Sequence, residues 1–202
     1  MDGKYMTNIG FLEIEKKQIC DYIDIGNKIL KDSSLLEKVA KAAEICIEAY
    51  SKGGKTIFAG NGGSAADAQH MAGEFVSKFY FDRPGLSSIA LTTDTSILTA
   101  IGNDYGYEKL FERQLQAVGC KGDVFFGFST SGNSANLANA LAVCKEKGIY
   151  AVALTGETPC KMDDYDLVIK IPSRETPRIQ ECHTLIGHMI CCIVEKQLFG
   201  TK

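Results

Sequence analysis

The chain has 202 residues, 45% of them hydrophobic and 23% charged, with 22 basic and 25 acidic side chains for a formal charge of −3. This mixture excludes a disordered chain, which lacks the apolar residues to offset its conformational entropy. It also argues against a general nucleic-acid binder, whose phosphate contacts need a basic surface. No apolar run approaches the ~20 residues of a membrane-spanning helix, and charges interrupt the opening MDGKYMTNIGFLEIEKK where a signal peptide keeps an apolar core. The expectation is one cytoplasmic domain over 1–202, with neither membrane nor nucleic-acid partner.

Residues 8 to 31 and 34 to 51 read as helices, so that 1–51 form a helical extension. Ile9, Leu12, Ile19, Ile23 and Leu30 keep a helical stripe, and Asp32-Ser33-Ser34 supplies a break and a cap. From 52 to 202 strands and helices alternate. KTIFA leads into a helix from Ser64 to about Phe79, and SSIALT into a helical stretch from Ser96 to Ile101 and another over 107–118. DVFFGFS precedes a helix from Ser134 to Lys147, and IYAVALT and DLVIKI precede a last helix from Pro177 to about Leu198. Short, continuous apolar runs are what strands buried on both faces look like. The fold class is therefore α/β, a doubly wound parallel sheet flanked by helices, with ligands expected at the carboxyl ends of strands near a switch point. The eight cysteines show no CxxC spacing, and Cys191 and Cys192 are neighbours. They read as reduced, small buried hydrophobes and not as metal ligands.

Two strand-to-helix loops have the composition of anion sites. In Gly60-Asn61-Gly62-Gly63-Ser64-Ala65, glycines let the backbone approach a ligand, and Ser64 is expected to cap the helix whose positive end faces the loop. The spacing also satisfies a relaxed G-x-G-x-x-A, but Asp82 and Asp94 fall in the wrong places for the ribose-binding acid of a dinucleotide fold. No G-K-[ST] follows, which excludes a P-loop. The second loop, Ser129-Thr130-Ser131-Gly132-Asn133-Ser134, places four hydroxyls in six residues. Hydroxyls and helix N-terminal amides together can hold a phosphate monoester without arginine.

The helix after the first loop carries Asp67, His70 and Glu74, and His70 and Glu74 at i, i+4 share a face. The other two histidines, His183 and His188, lie on the last helix. There Gln180, Thr184 and His188 form one stripe, while Glu181 is aligned with His188 at least as well.

GNGGSAADAQHMAGE, LTTDTSILTAIGNDYGYE, FSTSGNSAN and RIQECHTLIGH, taken together, resemble the phosphoheptose isomerases of the sugar isomerase (SIS) fold, with the likeness running from about Ile47 to Leu198 in family order and spacing. The resemblance implies an aldose–ketose isomerase that converts sedoheptulose 7-phosphate to D-glycero-D-manno-heptose 7-phosphate through an enediolate. That reaction is the first step of nucleotide-activated heptose synthesis for surface glycans such as lipopolysaccharide or capsule. It also implies a homotetramer with the N-terminal helices in its contacts, active sites at subunit interfaces, and one divalent metal per subunit, usually zinc. The family's metal ligands fall on His70, Glu74, Gln180 and His188. Its substrate contacts fall on Asn61, Gly62, Gly63, Ser64, Glu74, Asn103, Asp104, Ser129, Thr130, Ser131, Ser134 and Gln180.

Such a reaction needs a carbon base and a group that moves protons between two oxygens. Glu74 is expected to be the base and His188 the shuttle, while His183 is expected to pack locally. One departure stands out: some members have an acidic sugar contact before Arg178, where this chain has Pro177. Two alternatives remain at this point. One is isomerisation of another phosphosugar. The other is a non-catalytic phosphosugar-binding or replication-initiator-associating scaffold, which has no reason to keep Glu74 and His188 beside Gln180.

Overall fold

Two helices open the chain where the hydrophobic pattern predicts them, α1 (Asn8–Lys31) and α2 (Ser33–Ser51), in a computed structural model that describes residues 8–200. The first seven residues of the segment tested for a leader lie outside the described part. Asp32 ends α1 and caps α2, its Oδ1 accepting the Leu35 N–H at 3.0 Å. The apolar stripe read along α1 does not face the core. Ile25 and Ile29 dock inward, whereas Leu12, Ile19, Ile23 and Leu30 are between 48% and 72% exposed.

The α/β part follows as β1 (Thr56–Gly60), α3 (Gly63–Val76), β2 (Ser88–Ala90), α4 (Thr95–Tyr105), α5 (Leu110–Val118), β3 (Val124–Phe128), α6 (Ala135–Lys147), β4 (Tyr150–Gly156), β5 (Leu167–Ile171) and α7 (Thr176–Phe199). Single 3₁₀ turns cover Tyr107–Lys109 and Lys161–Asp164. The five strands are parallel in the order β2-β1-β3-β4-β5. The chain runs outward from β1 to β2 and then returns to the other side of β1 as β3. A switch point therefore lies between β1 and β3, with Gly60 in register with Phe128.

Each sheet face builds its own core. Phe58, Phe126, Phe128, Val152 and Leu154 point toward α2, α3 and α7, while Ile57, Phe125, Ala151 and Ala153 point toward α5 and α6. On the first face the Phe58 ring stacks between those of Phe75, Phe126 and Phe128, with centroids 5.0–6.1 Å apart. Leu35, Val39, Ala43 and Cys46 of α2 belong to this same core.

Helix α3 stops three residues before the Phe79 that the sequence pattern suggests. The cause is a side chain: Arg83 donates to the carbonyls of Glu74 at 2.8 Å, Phe75 at 2.7 Å and Ser77 at 2.9 Å, taking up the last-turn acceptors that a longer helix would use. Glu195 of α7 in turn receives Arg83 Nε and the N–H groups of Phe79 and Tyr80. Burial pushes the Glu195 carboxyl up, but these donors hold it below the usual carboxylate range.

All eight cysteines are unpaired. Cys46, Cys144, Cys182 and Cys191 are buried as expected, but Cys20 and Cys120 are exposed and Cys160 and Cys192 are half-buried. The buried-hydrophobe reading therefore holds for only four of them.

Candidate active site

Both anion-type loops leave neighbouring strands at the switch point. After Gly60 the backbone turns at Gly62, whose φ of +58° is costly for any side chain. Helix α3 then begins at Gly63 with Gly62 as its N-cap and no side-chain cap. The sequence expectation that Ser64 caps α3 is thereby corrected. Ser64 lies inside the first turn, only 3% exposed, because the positive φ at Gly62 starts the helix two residues earlier. Asn61 is half-buried and Gly62 and Gly63 are exposed at the loop surface.

The serine loop is held by its own hydroxyls. Ser129 Oγ lies 3.0 Å from Ser134 Oγ and accepts the Gly132 N–H at 3.1 Å, while Ser131 Oγ accepts the Asn133 N–H at 3.2 Å. Ser134 is the N-cap of α6, yet its hydroxyl makes no cap bond; its carbonyl accepts the Leu137 N–H at 3.1 Å, and the N–H groups of Ala135 and Asn136 at the start of the helix are left for a ligand. Thr130 is half-buried and accepts the Gly156 N–H through its carbonyl.

Helices α3 and α7 lie side by side in the same direction and carry the rest of the predicted set. His70 Nε2 is 3.0 Å from Glu74 Oε1 and 3.4 Å from His188 Nε2, and a ligating atom from each of the three lies within 4.8 Å of the others. The Phe79 ring stands against His188 at 5.3 Å, and Arg83 holds the Glu74 carbonyl. Burial and the adjacent His70 hold the His188 imidazole below its ordinary value, with Glu74 pulling the other way.

One turn toward the loops, Asp67 Oδ1 accepts the Thr184 hydroxyl at 3.0 Å while Oδ2 is buried without a partner. Burial raises the Asp67 carboxyl, opposed by the Thr184 bond and His70. Gln180 sits further still toward the loops. A Cβ on Gly63 would fall 2.6 Å from its Nε2, which explains a glycine there and places the amide against the glycine loop. Eight residues, or about 12 Å of helix rise, separate Gln180 from His188.

The three-residue cluster has the spacing of a metal site. Zinc bonds of 2.0–2.1 Å in tetrahedral geometry set ligand atoms roughly 3.3 Å apart, close to the 3.4 Å between the two imidazole nitrogens. Two imidazoles and a carboxylate are donors that suit a borderline divalent ion.

Not every predicted contact gathers here. A cleft of about 470 Å³ over the glycine loop is lined by Asn61, Gly62, Thr92, Leu98, Thr99 and Tyr107, with others. Asn103 and Asp104, at the end of α4, are exposed, bond each other at 2.8 Å and do not line it. Pro177 occupies the first turn of α7, where its missing N–H costs nothing. Arg178 behind it is buried, donating to the Gln18 carbonyl at 2.7 Å and to Glu181 at 2.8 Å. Glu181 is thus engaged by an arginine, and His188 is the α7 residue that meets His70. His183 is fully buried, with neither ring nitrogen bonded. Burial drives its imidazole down to about 4, with the Thr155 backbone pulling the other way. Asn136 and Tyr107, which the motif analysis gave no role, both bond Asn61.

A SIS-domain family profile matches residues 21–156. The phosphoheptose isomerase of Aneurinibacillus thermoaerophilus is 62% identical over 188 residues, covering 93% of this chain and 95% of that protein. Among solved structures, a phosphoheptose isomerase from Neisseria gonorrhoeae superposes with a TM-score of 0.84 at 41% identity, covering 91% of this chain and 98% of that one. One from Francisella tularensis gives 0.88 at 31% identity, covering 95% and 100%. With identity at this level over nearly the whole length, joined to a switch-point site of two loops and a His–Glu–His cluster, the chain belongs to the phosphoheptose isomerase family within the SIS fold.

Proposed function

We propose that this protein is an isomerase that converts sedoheptulose 7-phosphate to D-glycero-D-manno-heptose 7-phosphate. The observation that carries the reading is the cluster of His70, Glu74 and His188, brought within 4.8 Å across 118 residues of chain, on helices that adjoin both anion-type loops.

In this reading the serine loop, through Ser129, Thr130, Ser131, Ser134 and the first turn of α6, holds the phosphate. Asn61, Gly62, Gly63 and Ser64 border the sugar, with Gln180 over the glycine loop and Asn103 and Asp104 as hydroxyl contacts. Glu74 removes the proton from the carbon beside the carbonyl and returns it to the adjacent carbon, so the ketose becomes an aldose with no net redox change. Among the described residues only its Oε1 is hydrogen-bonded, which leaves Oε2 for that proton. His188, kept neutral near pH 7 by its depressed pKa, carries the hydroxyl proton between O1 and O2 of the enediolate.

His70, Glu74 and His188 would hold a divalent metal, zinc in this proposal, with Gln180 as the fourth ligand. When bound, it supplies electrophilic polarisation of the carbonyl oxygen.

Residues 1–51 and 52–202 act as one domain, as the core that α2 shares with the sheet supports. The exposed apolar stripe of α1 supports a homotetramer with sites near its interfaces. Eight unpaired cysteines suit the reducing cytoplasm, where the product would feed surface-glycan heptose.

The test is turnover. Metal-loaded protein is given a panel of keto- and aldo-sugar 6- and 7-phosphates, followed by NMR, and melted before and after chelation. Isomerisation confined to the heptose 7-phosphates is expected, with activity and melting temperature falling together on chelation and returning with zinc. Turnover of hexose phosphates alone would overturn the substrate, and no bound metal with unchanged turnover would overturn the ligand set.

A further inference from the structure

One buried side chain joins the glycine loop to the serine loop. Asn136, on the first turn of α6, is only 2% exposed. Its amide pairs with that of Asn61 in both directions: Asn61 Nδ2 donates to Asn136 Oδ1 at 3.0 Å, and Asn136 Nδ2 donates to Asn61 Oδ1 at 2.9 Å. The Tyr107 hydroxyl donates to the same Asn61 Oδ1 at 2.8 Å. A single hydrogen bond would fix a distance. Two between planar amides also fix rotation, and burial makes either one costly to lose.

The chemistry left to Asn61 follows from counting its valences. Its carbonyl oxygen has two lone pairs, both taken by Asn136 and Tyr107, and one of its two Nδ2 hydrogens is taken by Asn136. What remains is one N–H, so Asn61 meets a ligand as a donor only and selects for an oxygen acceptor.

We propose that Asn136 is a positioning residue. It locks the Asn61 amide into this donor-only orientation and sets the spacing between the two loops that a phosphosugar must bridge. The inference rests on the reading of both loops as the phosphosugar site.

The discriminating variant is Asn136→Asp. Its carboxylate, nearly isosteric with the amide, accepts from Asn61 Nδ2 but cannot donate to Asn61 Oδ1, and it adds a buried negative charge beside the phosphate loop. Burial raises its pKa. When protonated it is neutral and donates again. The ratio of variant to parent KM for heptose 7-phosphate is therefore expected to be roughly ten- to a hundredfold at pH 8.5 and to fall toward one as pH drops to 5.5. Taking the ratio cancels the pH dependence that parent and variant share, and kcat should change less than KM.

If Asn136→Asp fails to fold, Asn136→Ala and Asn61→Ala, measured singly and together below their melting temperatures, replace it. Their effects on KM should be markedly non-additive. A KM ratio flat with pH, or effects that simply add, would overturn the positioning role. A parent inactive on every phosphosugar would instead overturn the substrate reading, and this inference would fall with it.

Discussion

The serine loop and the His70–Glu74–His188 cluster are built in opposite ways. The loop is local. Ser129 and Ser134 are five residues apart and their hydroxyls meet at 3.0 Å because a tight turn between β3 and α6 leaves them no other arrangement. The cluster is remote. His70 and His188 are 118 residues apart, and their nitrogens meet at 3.4 Å only because α3 and α7 pack on the same sheet face with the Arg83–Glu195 pair tying the end of one to the other. A local site tolerates the loss of one donor, since its neighbours remain in place. A remote one depends on every element that aligns it.

Substitutions at the two sites should separate along these lines. The largest effect is expected at the remote site: Glu74→Gln should lower kcat by three orders of magnitude or more, with phosphosugar binding by calorimetry largely kept. His188→Ala should cost roughly 10²–10⁴-fold in kcat. A Glu74→Gln protein that turned over at the parent rate would remove the base from the proposed mechanism.

At the local site Ser131→Ala should raise KM by about ten- to a hundredfold, the worth of one hydrogen bond to a charged acceptor, and leave kcat nearly unchanged. Unphosphorylated heptulose should be a poor substrate. Equal use of both sugars would contradict phosphate recognition by this loop.

The smallest effect on rate is expected at His183, one turn from both Gln180 and Gly187 on α7. With its imidazole at about 4 in the fold and near 6.5 when unfolded, the unfolded chain binds the extra proton first. Stability is therefore fully present above pH 6.5 and lost as pH falls toward 4, by up to about 3 kcal/mol. A melting series from pH 7 to pH 4 should show this loss in the parent and a shallower one in His183→Leu, with KM unaltered at pH 7. If His183→Leu lost more turnover than His188→Ala, the roles of the two histidines would have to be exchanged.

Much of this molecule is set by short-range pattern. Asp32 caps α2, apolar runs become parallel strands, and two polar loops stand at strand ends, because capping, burial on both faces and loop chemistry are properties of neighbouring residues. The i, i+4 relation of His70 and Glu74 is of the same kind.

Other features depend on partners distant in sequence. Periodicity along α1 shows a stripe but not its direction, and packing against α2 and α7 turned Ile25 and Ile29 inward and left Ile19, Ile23 and Leu30 to solvent. The end of α3 is fixed by Arg83 and Glu195, and the start of α3 by a positive φ at Gly62 that displaced Ser64 from the cap. Glu181 and His188 are aligned along α7, yet Arg178 claims Glu181 and leaves His188 to meet His70. The fold class, the loop chemistry and the residue types of the site are legible along the chain, since they follow from local sterics, periodicity and functional groups. Which of those groups meet is a property of the folded molecule, because a contact across 118 residues depends on the packing of two helices over one sheet face and not on spacing along the chain.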